Sequence, residues 1–288
     1  MAGTSPTLRQ RELGKRLREL RYQHGLTVEE VAERLLCSAT KISRLETGAR
    51  RPSLRDVRDL CELYDVDEPT SADFMTLARE AREQGWWTHY DDLNLNPYIG
   101  LEQVATSITC YSMNYVPALL QTEEYAQAII KAITPKIDPD IHRQRVEVWM
   151  RRQELLQPDE RPRYRALLDE AVLHRRVGDS QLMTAQLENI LEAERDTKVT
   201  IQVIPFDLAM HAAQDSNFVL LEFGEASNLS PVVFIEGLTS NQYFERLVDI
   251  ASYREALEYL RDSALSPRDS VHCVEKIRDA YINETEPP

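Results

Sequence analysis

The chain has 288 residues, of which 42% are hydrophobic and 28% are charged, and its net charge is −14. No stretch approaches the ~20 apolar residues that a membrane helix needs, and the first residues lack the apolar centre of a signal peptide. The four cysteines are scattered with no C-x-x-C pair, which favours reduced thiols over disulfides or a zinc site. We therefore expect a cytoplasmic protein with enough hydrophobic sequence for two folded domains.

The charge is distributed unevenly along the chain. Residues 1–60 contain thirteen Lys and Arg against eight Asp and Glu, a net charge of +5, and the remaining residues carry −19. A negative total by itself argues against binding to nucleic acid. A basic N-terminal segment can nevertheless bind the phosphates of a nucleic acid, even when the rest of the chain is acidic.

Residues 8–24 form the first predicted helix. Leu13, Leu17 and Leu20 recur at helical spacing, and basic residues occupy many of the other positions. The pair His24-Gly25 ends this helix, because glycine is common just beyond a helix C-terminus.

Residues 26–48 contain two short predicted helices, each with its own start signal. Thr27 and Glu30 have the spacing of a capping box, Ser38 is a typical N-cap for the second helix, and Gly48 ends that helix. Two short helices joined by a tight turn are typical of a helix-turn-helix unit. Apolar residues face inward from both helices: Val28, Val31, Ala32, Leu35, Ile42 and Leu45.

The outer face of the second helix is small, polar and basic. It carries Ala39, Thr40, Lys41 and Arg44 at positions that the inward-facing residues leave free. A helix with such a face can enter the major groove of DNA. We therefore predict that residues 38–47 form a recognition helix.

This region resembles the Cro/CI-type (XRE) repressor domain over about residues 8–66. The resemblance rests on the motif Thr27-x-Glu-Glu-Val-Ala, the motif Ser38-x-x-Lys-Ile-Ser-Arg-Leu-Glu-Thr-Gly and the following Arg51-Pro-Ser. It implies a mainly α, five-helix domain that binds double-stranded operator DNA. It also implies a structural ion pair between Arg21 and Glu46. The candidate DNA contacts are Thr27, Ser38, Ala39, Thr40, Lys41, Arg44, Thr47, Arg50 and Arg51.

Two positions depart from the pattern of this family, and one pair allows a second interpretation. The family often has Gln in place of Val28, so we expect one fewer polar contact with DNA. It usually has Gly in place of Leu36, so either Leu36 adopts a positive φ at a cost of about 1 kcal/mol or the turn differs from that of the family. For Arg50 and Arg51, which stand where the family touches the DNA backbone, a solvated basic loop is the alternative.

Two further helices, at about 53–63 and 69–83, complete an N-terminal domain that we predict to span residues 1–83. Residues 84–98 are then a connector, because Gly85, Pro97 and several Asn and Asp residues interrupt the helical pattern. Trp86, Trp87 and Tyr90 are too aromatic for a free linker, so we expect them to dock onto the second domain.

Residues 99–288 are predicted to form an α+β domain of locally paired strands flanked by helices. Strands are predicted near 104–110, 164–168, 199–204, 218–223 and 232–236. Helices are predicted near 122–133, 139–157, 180–195, 241–262 and 267–282.

This second domain also resembles a known group. The runs Tyr115-Val-Pro-x-Leu-Leu-Gln-Thr, Leu168-Asp-Glu-Ala and Val203-x-Pro resemble actinomycete Cro/CI-headed regulators with a C-terminal domain of unknown function, often described as antitoxin-like. The resemblance implies a small acidic partner protein encoded nearby.

The sequence contains no convincing catalytic set. The six histidines form no H-E-x-x-H motif and no metal-ligand spacing with Cys, and there is no G-x-S-x-G elbow or Walker loop. Asp169, Glu170 and Glu236 could act as bases at strand ends, but no nucleophile accompanies them, so helix caps or ion pairs are the favoured interpretation. We expect no enzymatic activity, no metal and no cofactor.

Two functions fit these observations. The first is a sequence-specific transcriptional regulator that binds DNA as a homodimer through residues 38–47, with the C-terminal domain for dimerisation and for receiving a partner or signal. The alternative is an antitoxin-like adaptor that neutralises a small partner protein and autoregulates its operon. We place the dimer contact on apolar residues near the C-terminus: Phe244, Leu247, Ile250, Tyr259, Leu260, Val274 and Ile277.

Overall fold

The computed structural model describes residues 6–83, 85–90, 96–157, 161–208, 210–211, 213–224, 229–238 and 240–285. These residues form two compact units. The first comprises the described parts of 1–89, 96–104 and 224–229, and the second comprises those of 90–95, 105–223 and 230–288. Within these ranges, no helix is both long enough and apolar enough to cross a lipid bilayer.

All the regular secondary structure described in the first unit is helical. Side-chain caps begin α2, α3, α4 and α5, which explains why these short helices start at defined residues. Its helices are α1 (Pro6–Gln23), α2 (Val28–Arg34), α3 (Ala39–Glu46), α4 (Leu54–Leu63), α5 (Glu68–Glu80) and α6 (Asn96–Glu102).

The core of the first unit is formed by apolar residues from α1 to α5. Leu13 and Leu17 of α1, Val31 of α2 and Ile42 and Leu45 of α3 are each at most 3% exposed. These are the residues that helical spacing predicted to face inward. The aromatic residues of the connector fall in different units: Trp86 and Trp87 lie in a 3₁₀ turn of the first unit, not the second, whereas Tyr90 belongs to the second.

The described residues of the second unit form six α-helices and one mixed sheet of six strands. The strands are β1 (Ser107–Ser112), β2 (Arg163–Asp169), β3 (Val199–Ile204), β4 (Phe218–Glu222), β5 (Val232–Glu236) and β6 (Asn241–Phe244). The helices are α7 (Glu123–Ile133), α8 (Pro139–Gln153), α9 (Glu170–His174), α10 (Ser180–Glu194), α11 (Leu247–Ser263) and α12 (Pro267–Thr285). The predicted class, a helical N-terminal domain followed by a domain of helices and strands, is confirmed.

The strand order in the sheet is β3-β2-β1-β4-β5-β6. The strands β1, β2 and β3 pair in parallel, and helical crossovers join them, as parallel pairing requires. The strands β4, β5 and β6 continue the sheet in antiparallel pairs. The prediction of locally paired strands is therefore right only for the antiparallel half.

Two predicted element boundaries were wrong. Residues 96–102 form α6, so the first strand starts at Ser107 and not at 104. Residues 241–244 were predicted to begin a helix but form β6. Tyr243 pairs there with Phe234 of β5, with ring centroids 5.2 Å apart. Such a cross-strand aromatic pair depends on a neighbouring strand and has no local sequence signal.

The closing helices are largely occupied by packing within the second unit. Ile250, Leu260, Val274 and Ile277 are between 0% and 6% exposed, so the predicted dimer patch is mostly core. Leu247 and Tyr259 remain 74% and 49% exposed on α11.

Candidate nucleic-acid interface

The first helix of the helix-turn-helix unit, α2, begins with a complete capping box. The Glu30 backbone N–H donates to the Thr27 hydroxyl at 3.2 Å, and the Thr27 backbone N–H donates to the Glu30 carboxylate at 2.8 Å. The predicted DNA contact Thr27 is thus exposed but already serves as a cap. Val28, the departure from the family pattern, packs against the core.

The turn between the two helices contains a strained residue. Leu36 has a φ of +50° and is 95% exposed, so it occupies the left-handed region without burying its side chain. Of the two outcomes that the sequence left open, a positive φ at Leu36 or a different turn, the structure has the positive φ. The turn continues through Cys37 to Ser38, whose hydroxyl caps α3 by accepting from the Lys41 backbone N–H at 3.2 Å.

The recognition helix α3 has one buried face and one exposed face. Ile42, Leu45 and Glu46 are buried, whereas Thr40, Ser43, Arg44 and Thr47 are exposed on or next to the helix. Ala39 is half-buried and packs against the core. The exposed residues recur at intervals of three and four, so they form one polar stripe.

Ser43 belongs to this stripe but was missed by the sequence analysis. Its position three residues after Thr40 and four before Thr47 was the signal that could have identified it. The Thr47 hydroxyl donates back to the Ser43 carbonyl at 2.9 Å and keeps its oxygen as an acceptor. The Arg44 guanidinium has no ion-pair partner among the described residues.

Lys41, a predicted phosphate contact, forms an ion pair within the first unit. Its Nζ donates to Oδ1 of Asp56 in α4 at 2.6 Å, and the two side chains are 27% and 16% exposed. Burial acts against the charged form of Asp56, but hydrogen bonds from Lys41 and Ser53 outweigh it and hold the pKa of Asp56 below its ordinary value. Lys41 therefore braces α3 against α4.

Arg21 of α1 and Glu46 of α3 form a buried, bidentate ion pair. The Arg21 Nε donates to Glu46 Oε1 at 2.7 Å, and Nη2 donates to Oε2 at 2.9 Å. The remaining Nη1 donates to the Leu26 carbonyl at 2.9 Å, and the side chains of Arg21 and Glu46 are 7% and 5% exposed. The hydrogen bond to Glu46 raises the pKa of Arg21 against the opposing effect of burial. The pair implied by the resemblance is thus present, and it joins the first helix to the recognition helix.

A close backbone approach also positions α3 against α1. A Cβ atom on Gly14 would lie 2.5 Å from the Leu45 carbonyl oxygen, so only glycine fits at this crossing. At the end of α3, Gly48 has a φ of +66°, and its carbonyl accepts from the Gln10 side chain at 2.7 Å. These contacts leave α3 with a single orientation in the first unit.

Arg50 and Arg51 follow α3 and are both exposed. The backbone N–H of Arg50 donates to the Arg44 carbonyl at 2.9 Å, which places the start of this basic segment directly beyond the last turn of α3. Neither guanidinium has an ion-pair partner among the described residues. The two arginines and Arg44 are thus the cations available around the exposed end of the recognition helix.

Two of the three carboxylates considered as catalytic bases have structural contacts. Asp169 caps α9 by accepting from the Ala171 backbone N–H at 2.8 Å, and Glu170 accepts from the Phe206 backbone N–H at 3.0 Å. Glu236 ends β5 and is exposed. Among the described residues no group of three or more His, Cys, Asp or Glu side chains could hold a metal ion, and the four cysteines form no disulfide.

An α2-turn-α3 unit with an exposed polar stripe on its second helix defines a helix-turn-helix DNA-binding domain. The family model of a helix-turn-helix domain matches residues 12–74. The model of a domain of unknown function, DUF5753, matches residues 95–276, which is more than half of the chain. The protein therefore belongs to the DUF5753 family and is a DNA-binding regulator with an N-terminal helix-turn-helix domain. Neither the curated proteins nor the solved structures gave a match.

Proposed function

We propose that this protein is a sequence-specific transcriptional regulator that binds its operator as a homodimer. The observation that carries the proposal is the polar stripe of α3, held in one orientation by the buried contacts of Glu46 and Gly14. Binding costs less when the reading surface is already ordered, because few side chains and no backbone must be fixed on association. A helix held in this way favours readout of base edges over loose attachment to phosphates.

The stripe contains the side chains that base readout needs. An exposed Arg44 can donate two hydrogen bonds to the O6 and N7 atoms of a guanine, which is the commonest specific contact in the major groove. The hydroxyls of Thr40 and Ser43 can donate or accept at several bases. Arg50 and Arg51 supply charge for the DNA backbone, which sets register and affinity but not sequence.

Dimerisation follows from the limited reach of one recognition helix. One helix contacts only a few base pairs, so proteins of this class pair two domains on half-sites about 34 Å apart. We assign the dimer contact to the exposed apolar face of α11, where Leu247 is 74%, Val248 is 66% and Tyr259 is 49% exposed. Leu247 and Val248 are consecutive exposed apolar residues at the start of α11, and Tyr259 lies three turns further along, on the side of Val248. A second copy of the chain would bury these side chains.

We further propose that the second unit acts by binding a partner or a signal and not by catalysis. Asp169 and Glu170 are engaged with backbone N–H groups, which supports structural roles for both. Purification from the native cell tests the adaptor alternative. The adaptor function would be favoured if a small partner protein copurifies in stoichiometric amount and the chain still binds its operator after that partner has been removed. Regulation by the homodimer alone would then be less well supported.

The DNA-binding proposal is tested by selecting an operator from random duplexes with the full chain and then measuring the affinities of variants. Arg44→Ala should lose about 1–3 kcal/mol for the selected operator and little for an unrelated duplex. The control Arg79→Ala removes an exposed arginine from α5 and should leave operator binding nearly unchanged. Equal losses on both duplexes for Arg44→Ala would contradict base readout.

The dimer assignment is tested by light scattering on the full chain at micromolar concentration. Leu247→Glu should convert a dimer to a monomer, because it places a charge in the contact. The control Met210→Glu changes another apolar residue that is 80% exposed and should leave the dimer intact. A wild-type monomer that still binds its operator tightly would contradict the proposal.

A further inference from the structure

A small cleft lies between the sheet and α11 in the second unit, with a volume of about 170 Å³. Thr109 of β1 and Arg165 of β2 line it from the sheet, and Arg254 and Arg261 line it from α11. The apolar side chains of Leu167 and Leu257 complete its walls. The cleft thus combines three cations and two carboxylates, those of Glu222 and Glu258, with a low-dielectric wall. It lies in the portion of the chain that carries most of the negative charge.

Arg165 is an unsatisfied cation in this cleft. It is half-buried on a central strand and has no hydrogen-bond or ion-pair partner in the part of the chain that the structure describes. Burial lowers the pKa of Arg165, and the neighbouring guanidinium groups of Arg261 and Arg163 lower it further. Like charges at close range repel each other and disfavour the ionised form of Arg165. A bound anion would offset this repulsion.

The nearest donor on the sheet is also without a partner. Thr109 is the direct neighbour of Arg165 in the β1–β2 register, so the two side chains extend from the same face. No described residue forms a hydrogen bond with the Thr109 hydroxyl. A guanidinium and a hydroxyl side by side can together bind two oxygen atoms of one anion.

The other charged groups around the cleft are less available. Arg254 donates to Glu222 at 2.6 Å, and Arg261 interacts with Asp262 at 3.0 Å. Glu258 of α11 also lines the cleft but is exposed and forms no ion pair with any described residue. The carboxylate that could neutralise Arg165 from within the chain is thus not engaged with it.

We propose that this cleft is a binding site for a small anion whose carboxylate or phosphoryl oxygens pair with Arg165 and accept from the Thr109 hydroxyl. A planar guanidinium suits both groups, because each presents two oxygens at matching spacing. The cleft measures only about 170 Å³, so the ligand is small. The proposal does not depend on the DNA-binding function of the first unit.

The test measures binding of inorganic phosphate and, separately, of succinate to the full-length protein by calorimetry at constant ionic strength in chloride. Saturable binding of either anion to the wild type is expected. Arg165→Gln should weaken it by more than about tenfold and Thr109→Val by about threefold, consistent with the loss of charged and neutral hydrogen bonds. Tighter phosphate binding would identify a phosphoryl ligand, and tighter succinate binding a carboxylate.

The matched control is Arg163→Gln, which removes an exposed cation two residues away on the same strand. It should change the affinity by less than about twofold, because Arg163 does not line the cleft. Equal weakening by Arg163→Gln and Arg165→Gln would overturn the proposal, since it would mean general attraction to positive charge. No saturable binding of either anion to the wild type would also overturn it.

A second measurement separates a ligand site from a structural role. In buffer without phosphate or carboxylate, Arg165→Gln should unfold at the same temperature as the wild type or at a higher one, because it removes an unpaired cation. If Arg165 instead stabilises the fold, the variant will unfold at a lower temperature. That result would overturn the proposal whatever the calorimetry gives.

Discussion

The Nζ atom of Lys41 on the recognition helix lies 2.6 Å from Oδ1 of Asp56 at the start of α4. A lysine that sequence and family resemblance assign to DNA is therefore engaged with a carboxylate of its own domain. A DNA phosphate would have to compete with Asp56 for this ammonium group. Asp56 thus limits how much of the positive charge of α3 is available to DNA.

Asp56→Asn is expected to strengthen binding to non-specific DNA, because it releases Lys41. The slope of log affinity against log salt should become steeper by about one, since one more phosphate is neutralised. Asp59→Asn is the matched control, because it removes a carboxylate from the same helix that makes only looser contacts, at 3.6 Å, with the exposed Arg55 and Arg58. Identical salt slopes for the two variants, measured by fluorescence anisotropy, would contradict a competing role for Asp56.

The Lys41–Asp56 pair should also make stability depend on pH in the acid range. The folded pKa of Asp56 lies below its ordinary value of 3.8, so the pair contributes fully above that pH and is lost as the pH falls through the folded pKa. Urea unfolding should show the wild type more stable than Asp56→Asn at about pH 6, with the difference shrinking below about pH 4. A difference that stays constant down to about pH 2.5 would show that ionisation of Asp56 is not responsible.

Arg21 and Glu46 should be strongly coupled in stability. Either alanine variant leaves a buried charge without its partner, which typically costs about 3–5 kcal/mol, and the double variant should lose less than the sum. Arg18→Ala is the control, because Arg18 is half-exposed and 3.8 Å from Glu46, so we expect a loss under about 1 kcal/mol. Additive losses in chemical denaturation would mean that the Arg21–Glu46 pair does not act as a unit.

Gly14→Ala should destabilise the first unit, although Gly to Ala inside a helix normally stabilises by about 1 kcal/mol. The added Cβ would lie 2.5 Å from the Leu45 carbonyl oxygen and push α3 away from α1. We expect a loss of about 1–3 kcal/mol together with weaker operator binding. Glu19→Ala, at an exposed position of the same helix, should stay within about 0.5 kcal/mol of the wild type. A more stable Gly14→Ala protein would contradict the close packing of α1 on α3.

Leu36→Asn should stabilise the turn slightly. Asn adopts a positive φ more readily than Leu, and the 95% exposed Leu36 side chain contributes little burial that could be lost. The expected gain in unfolding free energy is about 0.5 kcal/mol. Leu36→Ala keeps the strain and should show no such gain, which separates the backbone effect from removal of an exposed apolar side chain.

Local signals in the sequence were sufficient for the helix-turn-helix unit. The Thr27 capping box, the Ser38 cap and the spacing of Val31, Ile42 and Leu45 act within a few residues of one another. The family resemblance implied the pairing of Arg21 with Glu46, whereas for Leu36 it left open either a positive φ or a different turn. Helix caps and helical periodicity are short-range interactions, so they can be read without knowing what the helix packs against.

Contacts between residues distant in sequence were decided only by the tertiary structure. Asp56 is fifteen residues from Lys41, and the β6 strand exists because Tyr243 and Phe244 pair with β5. Four residues of the predicted interaction surface are instead buried in the core: Ile250, Leu260, Val274 and Ile277. The sequence could not show this, because apolar residues at helical spacing occur both in cores and at interfaces. The unpaired guanidinium of Arg165 could be recognised only once β1, β2 and α11 were assembled around it, since whether a charge has a partner depends on all the chain segments that meet there.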